Sequence, residues 1–221
     1  MAIENDFIEF EFSKPNYDRL LNNSHTFLDK MSKRRSVREF STEDIPEEVI
    51  LNIVRTATSA PSGGNAQPFF FCIVKDKDVK HQIREAAEKE EKINYEKRYT
   101  EDFKKKVSKF KVNFEKPFLD EAPYIIVVFK EKYKLVGDKI QKNNYFTESA
   151  GIAIGFLITA IHNAGLVTLP YTPSPMSFLS KILNRPENES PVMVFPVGYP
   201  KDGVKVPNLK KKKFEEMYRF Y

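Results

Sequence analysis

The stretch from Asn144 to Leu166 constrains the fold of this chain more than any other. Ala150, Ile152, Ala153, Ile154, Phe156, Leu157, Ile158 and Ala160 place apolar side chains around most of a helix's circumference. A helix apolar on so many sides cannot lie on a solvated surface, so it belongs at the centre of the fold or at a subunit interface. Membrane insertion is the rival, but Glu148, His162 and Asn163 bracket a run shorter than the ~18 residues a span needs. A chain of 221 residues is long enough to bury an adequate core around it.

Apolar runs elsewhere supply the rest of that core. Phe69–Val74, Tyr124–Phe129 and Val192–Val197 read as buried strands, and Val167-Thr168-Leu169 begins another extended piece. Pro15 precedes a helical stretch over about 17–33, with Leu20, Leu21, Phe27, Leu28 and Met31 on its expected core side. After Pro46, Glu47 and Glu48 put acids at the positive end of a helix dipole, and Val49, Ile50, Ile53, Val54 and Ala57 mark one face of a helix ending before Pro61. Ser174 is expected to cap a short helix started by Pro175. Ile8, Phe10 and Phe12 alternate with Glu9 and Glu11, as in an extended arm that packs on a partner or frays. Strands and helices are interspersed without a repeat. The expectation is a single α+β domain over 1–221, with an N-terminal arm over about 1–16 and a C-terminal arm over about 201–221.

Composition narrows the function classes. Cys72 is the only cysteine and sits in an apolar run as core filler, so neither a disulfide nor a thiolate metal cluster is expected. His25, His81 and His162 lie far apart, and no metal is expected. Met1–Asp6 carries no signal-peptide core, and the expected location is cytoplasmic, with no membrane. The net charge of +5 raises nucleic acid as a partner, but most of the positive charge is interleaved with acid. Lys210–Lys213 is the plainest basic cluster, without a nucleic-acid signature beside it. The reading is therefore no nucleic acid, with a non-enzymatic basic binding protein as the distant alternative.

Three segments carry candidate chemistry. Arg34-Arg35-Ser36-Val37-Arg38 crowds three guanidinium groups into five residues, which suits an anion such as phosphate. A solvated basic turn is the plain alternative. Ala60–Pro68 is a breaker-rich loop whose Gly63 and Gly64 let backbone approach a ligand, with Asn65 and Gln67 offering amides. The charged helical region over about 79–99 continues weakly through Lys116, too polar for core, and reads as a mobile cover. On it, Glu91 and Tyr95 share a face at i, i+4, and Lys116 could fold back over them. An amino-acid zwitterion needs such a pair: Glu91 for its ammonium, Lys116 for its carboxylate, with the Tyr95 hydroxyl between. An ordinary Glu- and Lys-rich surface helix offers similar pairs by chance.

Together these pieces resemble the FMN-dependent nitroreductase superfamily. The features are the Arg-Arg-Ser-Val-Arg run followed by Phe40-Ser41, Ala60-Pro61-Ser62-Gly63 ahead of a strand, Asn163-Ala164-Gly165-Leu166, and Pro196-Val197-Gly198-Tyr199-Pro200. More narrowly, Lys75–Arg84, Glu91–Tyr95 and Glu115–Asp120 are similar in type and spacing to the iodotyrosine deiodinase branch. The resemblance covers about 30–212.

It implies a mixed central sheet flanked by helices and an intertwined homodimer, with FMN sites lined by both subunits. Arg34, Arg35, Ser36 and Arg38 would hold FMN through its phosphate and nearby flavin oxygens. Lys211 falls where the family places an arginine on the phosphate, keeping the charge but losing the fork. Pro61, Ser62 and Gly63 would approach the flavin from the partner. Thr172 would present its hydroxyl to the flavin N5 and favour single-electron steps, making it the catalytic candidate. Glu91, Tyr95 and Lys116 would bind the halotyrosine zwitterion, the Gly64 amide its phenolate, and an active-site lid would span about 88–118. The implied activity is reductive dehalogenation of halotyrosines, iodotyrosine giving tyrosine and iodide, with electrons from a reductase or NAD(P)H. The loop Gly64–Phe69 is more like that of general nitroreductases, so an NAD(P)H-dependent nitroreductase or quinone reductase is the alternative. The animal deiodinases have an N-terminal membrane anchor not seen here, which points to a soluble relative.

Overall fold

The computed structural model describes residues 7–110, 112–137 and 139–221. Helices are α1 Tyr17–Ser32, α2 Glu47–Thr58, α3 Lys77–Ile93, α4 Glu101–Ser108, α5 Phe118–Glu121, α6 Phe146–Asn163 and α7 Ser177–Ile182. Strands are β1 Phe69–Val74, β2 Tyr124–Glu131, β3 Tyr133–Val136, β4 Lys139–Lys142, β5 Val167–Thr168 and β6 Glu189–Gly198. The chain divides into two compact units, Met1–Arg34 and Arg35–Tyr221.

In the first unit, Asn16 starts α1 by accepting a hydrogen bond from the Arg19 amide at 2.9 Å. The sequence expectation that Leu20, Leu21, Phe27 and Leu28 face a core is corrected: all four are exposed, and α1 buries none of its residues. Periodicity reports that a helix has an apolar side, not what covers it. Residues 7–16 form no regular structure, and Phe7, Ile8, Phe10 and Phe12 are exposed.

The second unit is built on a sheet ordered β1-β2-β6-β5. Every pairing of named strands is antiparallel, and among the described residues a parallel component enters only through the Ser36–Thr168 bridge. Strand β2 explains the architecture. Tyr124, Ile126 and Val128 point into one apolar cluster with Phe195, Val197 and residues of α2 and α6. Ile125, Val127 and Phe129 point into a second, with Val194, Ile83, Ala87, Leu119 and Leu179. Both faces are covered, which is why this strand reads as an unbroken apolar run instead of an alternating one. Each fully buried aliphatic side chain is worth about 1.5–3 kcal/mol, so these layers are the rigid floor of the molecule.

Strand β1 was expected to be buried, but it pairs with β2 alone among the described residues and leaves Phe70 and Ile73 exposed. An edge position explains this. The guanidinium of Arg185 lies 3.7 Å from the Phe70 ring centroid and partly covers it. Helix α6 is expected at the centre of the fold or at a subunit interface, and within one chain it is central on one side. Ala150, Ala153, Ile154, Leu157, Ala160 and Ile161 are buried, whereas Ile152 and Phe156 form an exposed stripe. Ser174 does not cap the next helix, since α7 begins at Ser177 behind Met176. The β3–β4 hairpin escaped the sequence reading, although Gly137 supplies a turn residue at φ +60° between two short alternating runs. No helix of the described residues is long and apolar enough to cross a membrane.

Candidate functional site

Within the second unit a cavity of about 910 Å³ opens between the sheet's edge and the segment that follows α3. Ser36, Arg38, Glu91, Tyr95, Lys116 and Thr172 all line it, so six of the candidate residues converge in one chain. Val37 explains how the arginine segment is presented. Its amide donates to the Thr168 carbonyl at 3.2 Å and its side chain is buried, so Ser36 and Arg38 on either side face the cavity. Burial lowers the Arg38 pKa from its ordinary value. Among the described residues it has no carboxylate within ion-pair reach, and its guanidinium stands 5.7 Å from the Phe110 ring centroid. A half-buried cation without an anion fits a phosphate or another anionic group.

Arg35 is exposed and donates instead to the Pro207 carbonyl. Arg34 belongs to the first unit, where its amide donates to the Met31 carbonyl at 3.2 Å. Lys211 is exposed and does not line the cavity. Pro61, Ser62, Gly63 and Gly64 form a separate loop that does not line this cavity either. A Cβ on Gly63 would lie 3.0 Å from the Tyr145 ring, and Gly64 is left-handed at φ +57°, so both positions favour glycine. Asn65 and Gln67 are left-handed as well, at φ 54° and 48°. Strain of this kind persists where surrounding structure enforces it, often at ligand sites. Their amides are bonded to each other at 3.2 Å.

The other end of the cavity is charged and buried. Glu91 lies near the end of α3, and Lys116 just before α5; their side chains are 9% and 7% exposed and 3.8 Å apart. Desolvation lowers the Lys116 pKa, opposed by the nearby Glu91 and Glu88 carboxylates. Its ammonium also donates to the Asn113 carbonyl. The feet of the intervening segment are tied together. Arg84 bonds Glu88 at 2.7 Å and Asp120 at 2.8 Å, and Glu88 accepts the Lys116 amide at 2.7 Å. Lys80 is buried and donates to the Asp120 and Ala122 carbonyls at 3.0 and 2.6 Å.

Between the feet, the spacing argument for Glu91 and Tyr95 needs amendment. The α-helix ends at Ile93, and Asn94–Arg98 is wound as a π-turn. Such turns are uncommon and cluster at functional sites. Tyr95 nonetheless lines the same cavity, with its hydroxyl donating to the Val112 carbonyl at 3.3 Å and its pKa raised first by burial and then by Glu91. Tyr95 packs edge-on against Tyr99 at 5.4 Å, and Tyr99 against Phe103 at 4.5 Å. This aromatic ladder, with Phe110, lines the cavity with rings that an aromatic ligand can pack against. Of the ladder only Tyr95 was singled out from sequence; Tyr99, Phe103, Phe110 and Tyr171 were not. Their aromatic identity was visible, but their convergence depends on the π-turn and on the return of the chain.

Comparison with known proteins agrees with this geometry. The profile of the Nitroreductase family matches residues 31–199. The chain belongs to the nitroreductase family. Within it, the chain is 49% identical over 207 residues to an iodotyrosine deiodinase of Haliscomenobacter hydrossis, covering 93% of each. It is 42% identical to the human iodotyrosine deiodinase 1 over 200 residues, 90% of this chain and 69% of that protein. A crystal structure of oxidized iodotyrosine deiodinase bound to FMN and 3-iodo-L-tyrosine superposes with a TM-score of 0.77 at 35% identity, covering 88% of this chain and all of the other. A BluB-like flavoprotein from Clostridium difficile shares the nitroreductase fold at a TM-score of 0.65 and 24% identity.

Proposed function

We propose that this chain is an FMN-dependent iodotyrosine deiodinase, reducing a halotyrosine with two electrons and a proton to tyrosine and halide. The observation that carries the reading is the Glu91–Lys116 pair, buried at 3.8 Å beside a wall of aromatic rings. Opposite charges in that setting suit an amino-acid zwitterion whose ring lies further into the cavity. Glu91 accepts the ammonium, Lys116 donates to the carboxylate, and Tyr95 donates to whichever acceptor lies between them. Bound FMN supplies the reducing equivalents. Arg38, Ser36 and Thr172 line the cavity, which supports a reading in which the first two hold its anionic and polar atoms and Thr172 donates a hydrogen bond to the flavin edge. The segment over about 88–118 acts as a lid, excluding water once the zwitterion joins its two feet.

A homodimer completes this reading. The exposed apolar residues of α1, the Ile152–Phe156 stripe of α6, and Phe214, Met217 and Tyr218 of the C-terminal arm are the surfaces a second copy would cover. Arg34, Arg35, Lys211 and the Pro61–Gly64 loop then contribute to FMN binding, with Gly64 meeting the phenolate, from whichever subunit brings them to the flavin. The electron donor, a reductase or NAD(P)H, and the cytoplasmic location belong to the same reading.

Titration of the FMN-loaded protein tests it. Iodotyrosine is expected to quench flavin fluorescence much more strongly than tyrosine, and dithionite-reduced protein to release iodide. Glu91→Gln is expected to weaken iodotyrosine binding about 10- to 100-fold, the value of a hydrogen bond to a charged group, with FMN retained. Equal affinity for iodotyrosine and tyrosine, alongside efficient nitroarene or quinone reduction with NAD(P)H, would instead identify a general reductase.

A further inference from the structure

Tyr171 lies between Pro170 and Thr172 in the segment after β5, and it touches both feet of the lid. Its hydroxyl donates to Oε1 of Glu91 at 3.4 Å, while Lys116 faces Oε2 of the same carboxylate. Its ring meets Phe118, two residues beyond Lys116, edge-on at 5.4 Å and 85°. Its backbone is fixed: the Tyr171 amide donates to the Val194 carbonyl at 2.9 Å, and the Tyr171 carbonyl accepts from the Val194 amide at 2.8 Å. Val194 belongs to the buried central sheet. One side chain anchored to the rigid floor therefore reaches the two elements that carry the clamp charges.

We propose that Tyr171 is a positioning residue for the substrate ammonium, holding the Glu91 carboxylate in the orientation that receives it. The inference rests on the deiodinase reading above. A glutamate at the end of a helix has several rotamers, and fixing one before the ligand arrives removes an entropic cost of binding. The hydroxyl takes one oxygen and Lys116 approaches the other, yet both contacts are long. A carboxylate accepts at about four positions, so capacity for an ammonium remains. Burial and the adjacent Glu91 raise the Tyr171 pKa far above the ordinary phenol value, so it stays a neutral donor throughout the working pH range.

The test uses FMN-loaded Tyr171→Phe, which keeps the ring against Phe118 and removes only the hydroxyl. Two ligands are titrated: iodotyrosine, and its deaminated analogue, which keeps ring and carboxylate but lacks the ammonium. Iodotyrosine Kd is expected to rise about tenfold, as for one lost hydrogen bond to a charged group. Kd for the deaminated analogue and FMN affinity are expected to stay within about twofold, the margin a bystander mutation leaves. In the Glu91→Gln background, Tyr171→Phe should add nothing further. Equal weakening of both ligands would reduce Tyr171 to a packing residue and overturn the inference. So would an unchanged iodotyrosine Kd in Tyr171→Phe when Glu91→Gln alone is weakened. An unchanged Kd in Glu91→Gln would overturn the clamp itself, and this inference with it.

Discussion

Two ion pairs in this molecule, each holding a buried glutamate, have opposite geometry. Arg185 and Glu189 meet as a fork, Nε to Oε2 at 2.7 Å and Nη2 to Oε1 at 2.5 Å, with the Arg185 guanidinium also stacked on Phe70. Glu91 and Lys116 are both buried, whereas Arg185 is partly exposed, yet they stand 3.8 Å apart. A desolvated pair recovers its cost only with close, fully bonded geometry. The first pair meets that condition and fastens the start of β6 to the sheet edge. The second does not. Its charges are held in place but incompletely satisfied, as expected of groups whose better partners come from a ligand. Tight pairing marks structure here, and loose pairing marks the site.

The largest effect that could break this contrast is on stability. Arg185→Ala leaves the Glu189 carboxylate buried without its fork and uncovers Phe70. It is expected to destabilise the fold by about 3 kcal/mol, read from the denaturant midpoint, with halotyrosine affinity unchanged. Lys116→Met should show the reverse. Iodotyrosine affinity is expected to drop about 10- to 100-fold, while the midpoint falls by less than in Arg185→Ala, because Lys116 leaves one long contact to Glu91 and not a bidentate fork. A Lys116→Met variant as unstable as Arg185→Ala would erase the distinction.

The smallest effect concerns pH. Desolvation lowers the Lys116 pKa below the ordinary lysine value of 10.5 in the free protein, and a ligand carboxylate favours the charged form. As pH rises through that lowered value Lys116 loses its proton, so iodotyrosine affinity should fall before an ordinary lysine would titrate. Lys116→Arg keeps its charge at these pH values, while the ligand's own groups titrate identically with both proteins. The wild-type affinity should therefore decline relative to Lys116→Arg across the alkaline range. Parallel pH profiles would show that Lys116 does not meet the carboxylate.

Helix positions were largely legible from sequence because capping and periodicity are local. Pro46-Glu47-Glu48 opens α2, and Ile50, Ile53 and Ala57 are buried as the 3.6-residue period required. The Glu91–Lys116 pair was named from charge type, from the i, i+4 spacing of Glu91 and Tyr95 and from the family resemblance, not from any local pattern joining the two residues. Glu91 and Lys116 are separated by 24 intervening residues, and nothing local states that the chain returns to close the pair.

By itself, the sequence determined where the apolar runs lie, with what period, and which charged residues were available, since side-chain chemistry and the helical and strand periods act over a few positions. Tertiary structure alone decided that β1 is an edge, that the apolar sides of α1 and part of α6 stay uncovered within one chain, and that Tyr171 meets Glu91. Those outcomes depend on which distant surfaces meet. Such meetings arise from the packing of whole elements across the sheet, to which a local pattern carries no reference.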